Sequence, residues 1–235
     1  GIDEKPEGSV ETNLINAGVY GFSVGIFDAI RQTQTTGELE ITATLNELAS
    51  ESGMTAVQYD GQWLDVSNLW DLISVNAGLV SDTNEPGQAG PSPGNSAVTA
   101  DDVVLADNVQ AGPNVTIGGS TAVGGNVTIK ANAVVENAVI FPDVVVGAGA
   151  VVQDAVIGGN ARLGANVTIE RGHSDIVVGD TFHSDVQLGA VVGDNAQIGG
   201  GATLTDGAVV GDDVQADAGV VIEGRVESDA VVRRG

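Results

Sequence analysis

The sequence predicts two unlike parts, a mixed α/β region in residues 1–80 and an all-β parallel helix in residues 98–235. Three observations support this division. The hydrophobic period changes between segments of the first part, whereas one six-residue period repeats through the second. Between them, residues 81–97 contain three prolines and three glycines and almost nothing apolar, which is typical of a linker.

Residues 1–80 predict short elements of both kinds. Ile15–Phe22 has the composition of a strand, and Asp60-Gly61 lies between two alternating runs, which predicts a β-hairpin over 54–66. Helical spacing predicts helices over 24–32, 38–51 and 69–80. So few strands make a poor independent sheet, and we expect Ile15–Phe22 to need strand neighbours that these residues do not supply.

The second part is predicted from its repeat. Small or β-branched residues recur every six positions, and each is expected to point inward with the apolar residue two places on. The predicted series is Val103, Val109, Val115, Thr121, Val127, Ala133, Val139, Val144, Ala150, Val156, Ala161, Val167, Ala190, Ala196, Ala202, Ala208, Val214, Val220 and Val226. Its two five-residue steps, Val139 to Val144 and Val156 to Ala161, predict shortened sides at one corner of successive coils.

Stretches such as NVTIGGSTAVGGNVTIK resemble the hexapeptide repeat of left-handed parallel β-helices. The resemblance implies three six-residue sides per coil and roughly seven coils across 98–235. It also implies corners where glycine or asparagine tolerates a positive φ. The segment Glu170–Asp185 breaks the period and holds both histidines, so we expect an excursion from the helix near 170–187.

Charge and composition exclude several classes of function. The formal net charge is -24, with Lys5 and Lys130 as the only lysines, so nucleic acid and anionic membranes are not expected partners. Cysteine is absent and no apolar run has the length of a membrane span, so we expect a soluble, cytoplasmic protein. The acidic residues are dispersed rather than blocked, which resembles proteins of a high-salt cytoplasm; the alternative is an ordinary acidic protein.

Four stretches of the first part, EKP, NLINAGVYGF, GELEIT and DGQWLDVSNLWDLI, resemble the sugar-1-phosphate nucleotidyltransferase family. The order and spacing are those of the C-terminal part of the catalytic domain in glucose-1-phosphate thymidylyltransferases and uridylyltransferases. The resemblance implies an incomplete Rossmann-like nucleotidyltransferase domain followed by a β-helix, a common appendage of the family. These enzymes convert an NTP and a sugar-1-phosphate into a nucleotide sugar and pyrophosphate.

The resemblance also implies roles for individual residues. Glu4 would bond sugar hydroxyls, and Lys5 would contact the sugar phosphate, which suits a compact ammonium group. Asn16, Ala17 and Gly18 would line the sugar pocket. By composition alone, an exposed Glu-Lys pair is more often simply solvated.

Asp65 would by the same resemblance be a carboxylate ligand of the catalytic Mg²⁺, although by composition an aspartate beside a predicted hairpin is more often a turn residue than a ligand. Ser67-Asn68 stand where the family has a glycine, so a backbone that needs a positive φ would be strained there. No GxGTRxxP-like segment and no second early aspartate occur in the sequence. We therefore expect a truncated protein that lacks nucleotidyltransferase activity alone.

A second hypothesis places a sugar-phosphate acetyltransferase that uses acetyl-CoA in the β-helix. Residues 188–211 resemble the corresponding segment of related enzymes, and His173 or His183 would be the general base. Against it, only Arg162 and Arg171 are basic between residues 131 and 224.

A third hypothesis is that the β-helix has no chemistry and is a trimerisation module. The flat faces of such a helix can pack against copies of themselves, so a homotrimer is expected in either case.

Overall fold

The computed structural model describes residues 14–33, 41–51, 54–82, 96–178 and 181–235, and the chain divides into two units, residues 1–62 and 63–235. The helices are α1 (Ile26–Gln32), α2 (Ile41–Glu51) and α3 (Asp71–Asp82). The strands are β1 (Val98–Thr99), β2 (Val103–Leu105), β3 (Gln110–Ala111), β4 (Thr116–Gly118), β5 (Thr121–Val123), β6 (Thr128–Ile129), β7 (Val134–Ile140), β8 (Val145–Val146), β9 (Val151–Ile157), β10 (Arg162–Leu163), β11 (Thr168–Ile169), β12 (His173–Val178), β13 (Thr181–Gln187), β14 (Ala190–Val192), β15 (Gln197–Ile198), β16 (Thr203–Leu204), β17 (Ala208–Val210), β18 (Gln215–Ala216), β19 (Val221–Ile222), β20 (Arg225–Val226) and β21 (Val231–Val232). No helix among the described residues is long and apolar enough to cross a membrane.

The described residues of the first unit contain two helices and no strand. The helices α1 and α2 form where they were predicted, and the Thr33 hydroxyl at the end of α1 donates to Glu47 Oε2 of α2 at 3.0 Å. The strand predicted at Ile15–Phe22 and the hairpin predicted over 54–66 are wrong, because neither stretch is extended in a sheet. A strand needs a partner for its backbone N–H and C=O groups, and the described residues of this unit offer none.

The second unit is a parallel β-helix with three faces, as predicted. The first face is β1-β4-β7-β9-β11-β16-β19, the second is β2-β5-β7-β9-β14-β17-β20, and the third is β3-β6-β8-β10-β15-β18-β21. Each face has one strand per coil, which gives seven coils. The inward residues form one continuous core, and most of them are fully buried.

The shortened sides are displaced by one residue from the prediction. Val139 and Val156 were predicted to point inward, but Ala138 and Ala155 occupy the core with no exposed surface, and Val156 packs outside the helix. Asn137 and the residue one coil on, Asp154, adopt φ of +48°, so β7 and β9 turn the corner one residue early. The two short sides are stacked on each other, with Ala138 paired to Ala155, as expected.

The corners follow the predicted turn chemistry. Most non-glycine residues with positive φ are asparagine or aspartate, which tolerate the left-handed region. Their side chains also bond between coils: Asn108 Nδ2 donates to Asn126 Oδ1 at 3.2 Å, and Asn160 Nδ2 donates to Asn195 Oδ1 at 2.9 Å. Several corners are thus tied to the next coil by side chains as well as by the strand ladders.

The helix α3 belongs to the β-helix unit. Ile73 is 6% exposed, and with Trp70 it packs against Val156 and Val191, which point outward from the second face. Asn76 Nδ2 donates to the Ser120 carbonyl at 2.6 Å. The boundary between the two units therefore falls before α3, at residues 62 and 63, rather than after it.

Candidate functional site

The residues expected at a sugar pocket form a local turn in the first unit. Asn16 Oδ1 accepts the Gly18 N–H at 3.0 Å, and Asn16 Nδ2 donates to the Tyr20 hydroxyl at 2.5 Å. Gly18 has φ of +68° with open space around its Cα, and Ala17 is half-buried. The turn leaves the backbone at Gly18 exposed, so a ligand can approach it closely. Glu4 and Lys5 lie outside the described residues.

Asp65 is an exposed carboxylate in the loop that leads into α3. The Ser67 hydroxyl donates to its Oδ2 at 2.6 Å. Within the described residues, no group of three or more histidine or acidic side chains is placed to hold a metal ion. Asp65 is thus a single exposed carboxylate whose partner in the structure is the Ser67 hydroxyl.

The loop after Asp65 does not carry the strain expected of Ser67. Neither Ser67 nor Asn68 has a positive φ. Instead, Asp71 Oδ2 accepts the N–H of Ser67 at 3.0 Å and that of Asn68 at 2.7 Å, while the Asn68 carbonyl accepts the Asp71 N–H. The Asp71 carboxylate thus holds the turn that leads into α3, and the Ser67 backbone carries no positive-φ strain that glycine would relieve.

Both histidines lie on an antiparallel hairpin, β12–β13, that leaves the β-helix at its fifth coil. His173 pairs with Gln187 at the base, and His183 pairs with Ile176 beyond a register shift. His173 Nδ1 lies 3.1 Å from Asp185 Oδ1, and the His183 ring meets Trp70 edge-on at 5.1 Å. The structure therefore gives the two histidines different partners at different places along the hairpin.

A buried carboxylate anchors the base of this hairpin. Asp154, with no exposed surface, accepts Arg171 Nε at 2.9 Å, Asn137 Nδ2 at 2.6 Å and Gln187 Nε2 at 3.4 Å. Arg171 precedes β12 and Gln187 ends β13, so one carboxylate holds both strands. The role of Asp154 was not predicted from the sequence. Its position, an aspartate inside an apolar repeat at the shortened corner, nevertheless indicates a buried polar contact.

The opposite side of the hairpin base is held by the next coil. The Ser174 hydroxyl donates to Asp206 Oδ2. A side chain at Gly207, where φ is +76°, would meet Ser174 Cβ at 2.6 Å, so only glycine allows this close approach. The base of the hairpin is thus fixed between two coils, and its outer part is left to form a wall.

That wall closes a groove of about 370 Å³ on the second face. The loop before α3, from Ser67 to Trp70, forms the other side of the groove, and Val191 and Val209 form its floor. Asp175 of β12 and Arg225 of β20 stand at its edges. The groove therefore combines an apolar floor and an aromatic side with a few polar groups at the rim.

Two family models match this chain. Residues 1–82 match the model described as nucleotidyl transferase, and residues 99–188 match the GMPPB C-terminal domain. Residues 1–82 are thus similar to part of a nucleotidyltransferase domain, and the strands of the second unit form a left-handed parallel β-helix.

The curated relatives are longer proteins. Bifunctional protein GlmU of Methanocaldococcus jannaschii is 36% identical over 85 residues, which are 35% of this chain and 21% of that protein. The bifunctional sugar-1-phosphate nucleotidylyltransferase/acetyltransferase of Sulfurisphaera tokodaii is 38% identical over 77 residues, 32% of this chain and 19% of that protein. The low-salt glycan biosynthesis nucleotidyltransferase Agl11 of Haloferax volcanii is 34% identical over 82 residues, 34% of this chain and 23% of that protein. The matches thus span about a fifth of the length of these relatives.

Among solved structures, a putative acetyltransferase of Bacillus cereus aligns with 58% of this chain and 77% of its own, at 16% identity and a TM-score of 0.41. Likeness at this level carries no assignment of function.

Proposed function

We propose that this chain, whose first 82 residues match the nucleotidyl transferase model, supplies the sugar-1-phosphate side of a nucleotidyltransferase site. The reaction is NTP plus sugar-1-phosphate to nucleotide sugar plus pyrophosphate. The observation that carries the proposal is the family match over residues 1–82, the region that holds Glu4, Lys5 and the Asn16–Gly18 turn. The exposed backbone of that turn is suited to a sugar ring lying against it.

Binding of a hexose-1-phosphate tests this proposal directly. Calorimetric titration of the protein should give saturable binding that Lys5→Ala weakens about tenfold, because the ammonium loses a charge-assisted contact with the phosphate. Lys130→Ala is the matched control, since it removes the only other lysine, an exposed residue of the β-helix. Equal binding by both variants, or none by the unchanged protein, contradicts the proposal.

Turnover is a separate question from binding. The 235 residues contain no glycine-rich nucleotide segment of the GxGTRxxP kind, so we expect this polypeptide alone to release no pyrophosphate from an NTP and a hexose-1-phosphate. Turnover in a pyrophosphate-release assay would overturn that expectation.

Magnesium is proposed as the cofactor, with Asp65 as one of its ligands. The ion would neutralise the charge that develops on the transferring phosphoryl group. Asp65→Asn should abolish the Mg²⁺-dependent part of ligand binding, whereas Asp60→Asn should retain it. Asp60 is a fitting control because it is also exposed, and it bonds only to Gln58 among the described residues. Equal loss in both variants would remove Asp65 from the site.

Acetyl transfer by the β-helix is the second candidate, favoured by the 3.1 Å separation of His173 and Asp185, the geometry of a base oriented by a carboxylate. Arg171 is already engaged by Asp154 and Glu136, which leaves Arg162 as the only other basic residue between 131 and 224 for a phosphate. Thiol release from acetyl-CoA with glucosamine-1-phosphate tests this candidate. His173→Asn and His183→Asn would identify the base, and absence of thiol release from the unchanged protein rejects the candidate.

The proposal also covers the oligomeric state of the protein and the salt concentration in which it works. The β-helix is proposed to form a homotrimer, which light scattering in concentrated KCl would report as three times the chain mass of 23.5 kDa. The dispersed acidity is proposed to serve a high-salt cytoplasm, where cations screen self-repulsion. The melting temperature should then rise steeply from low to molar KCl, and a flat response would indicate an ordinary acidic protein.

A further inference from the structure

We infer that the groove between the loop before α3 and the hairpin β12–β13 is a second ligand site, one that takes a phosphate-free hexose or hexosamine ring. It lies wholly within the unit of residues 63–235. The inference does not depend on the sugar-1-phosphate binding proposed above for Glu4, Lys5 and the Asn16–Gly18 turn, because these residues are in the first unit.

The shape of the groove indicates a small molecule rather than a polypeptide. Its volume, about 370 Å³, is at the lower end of the range for small-molecule pockets and suits a ligand of one or two rings. The base of the hairpin wall is held at Asp154 and at Asp206. When the walls of a pocket are already held in place, little binding free energy is lost to ordering them.

The charges of the groove argue against anionic ligands. Arg225 is the only basic residue among those that line it, and its Nε is already paired with Glu227 Oε1 at 2.9 Å. Asp175 accepts the Asp185 N–H at 3.1 Å and has no ion-pair partner among the described residues. Because the chain also carries a net charge of -24, a nucleotide, a sugar phosphate or coenzyme A would meet a repulsive field.

The remaining chemistry fits a sugar ring. Val191 and Val209 offer an apolar floor, and Trp70 offers an indole surface to the C–H groups that cover the faces of a hexopyranose. Asp175 and Asn68 stand where they can accept and donate hydrogen bonds at the hydroxyl-bearing edge of the ring. A protonated amino group would interact favourably with both the Asp175 carboxylate and the indole, so a hexosamine should bind more tightly than a neutral hexose.

Tryptophan fluorescence provides the test, because the chain has only two tryptophans, Trp63 and Trp70. In Trp63→Phe, which changes an exposed side chain, the emission of Trp70 is read alone. Titration with methyl glucoside and with glucosamine should give saturable changes, the second at lower concentration, and glucose-1-phosphate should give a weaker response than either. The indole N–H resonance of Trp70 in the unchanged protein gives the same readout if the variant fails to fold.

The Asp175→Asn variant identifies the site. It should weaken glucosamine binding about tenfold, because a hydrogen bond to a charged acceptor is replaced by one to a neutral acceptor. Asp101→Asn, an exposed change on the first coil, should leave the titration unchanged. The inference is overturned if neither glycoside gives a saturable change, if glucose-1-phosphate binds most tightly, or if the two variants behave alike. Because methyl glucoside and glucosamine lack phosphate, failure of these two titrations is distinguishable from failure of hexose-1-phosphate binding to respond to Lys5→Ala.

Discussion

The 63–235 unit and the 1–62 unit both contain strand-forming sequence, yet among the described residues all strands lie in the 63–235 unit. Its strands pair with copies of their own pattern one coil away, as Thr116 does with Val134. The alternating residues of the first unit lack such partners among the described residues, and Val19 and Val57 are 83% and 86% exposed. A repeat therefore supplies its own strands for pairing, whereas an isolated strand sequence forms a strand only if another part of the protein pairs with it.

The largest expected difference between the two regions concerns apolar side chains. Ile129→Ala removes a fully buried side chain of the β-helix and should lower the free energy of unfolding by about 2–5 kcal/mol. Val57→Ala, at an exposed position of the first unit, should change it by at most about 0.5 kcal/mol. Urea denaturation measures both, and comparable losses would contradict the contrast.

The buried carboxylate gives the next effect. Asp154→Ala leaves Arg171 and Gln187 without their shared acceptor and should cost about 1–3 kcal/mol. Hydrogen exchange should accelerate in β12 and β13 more than in the coils. Asp154→Asn is the control, since asparagine tolerates the φ of +48° and keeps an acceptor oxygen, so its effect should be smaller. Equal effects of the two changes would show that the acceptor oxygen and the tolerance of a left-handed backbone are unimportant, and that loss of the carboxylate charge, which both changes share, accounts for the whole effect.

A matched pair of glycines gives a smaller effect. Gly219 of the β-helix and Gly18 of the first unit have φ of +70° and +68°, and neither is crowded. Gly219→Ala should cost about 1 kcal/mol of global stability, the usual penalty for a left-handed L-residue. Gly18→Ala should leave the unfolding transition unchanged and weaken hexose-1-phosphate binding instead. A global destabilisation by Gly18→Ala would indicate that its turn is part of the cooperative fold.

Ser67→Gly should give the smallest effect. Because Ser67 has no positive φ and its N–H already donates to Asp71 Oδ2, glycine relieves no strain there. The change removes only the hydroxyl bond to Asp65 and should alter stability by a few tenths of a kcal/mol. A gain near 1 kcal/mol by thermal denaturation would mean that serine is strained after all.

The β-helix could be predicted from the sequence because each coil repeats the same pattern of small inward residues. A wrong assignment in one coil does not shift the assignment of the next. The one-residue displacement at Ala138 and Ala155 arose because alanine and valine both suit an inward position. The hairpin over 54–66 could not be excluded from its Asp-Gly turn, since pairing also needs a sheet to join. Asp154 was missed because its partners, Arg171 and Gln187, come from the excursion and not from the repeat.

Hydrogen exchange of the whole protein, with and without a hexose-1-phosphate, tests the central claim most directly. The claim is that the sugar-phosphate site lies in residues 1–22 and that the β-helix does not take part in it. We expect the hexose-1-phosphate to slow amide hydrogen exchange in peptides covering residues 1–22 and to leave exchange in the coils of the β-helix unchanged. Slower exchange confined to the hairpin, residues 173–187, would contradict it and move the phosphate site to the β-helix.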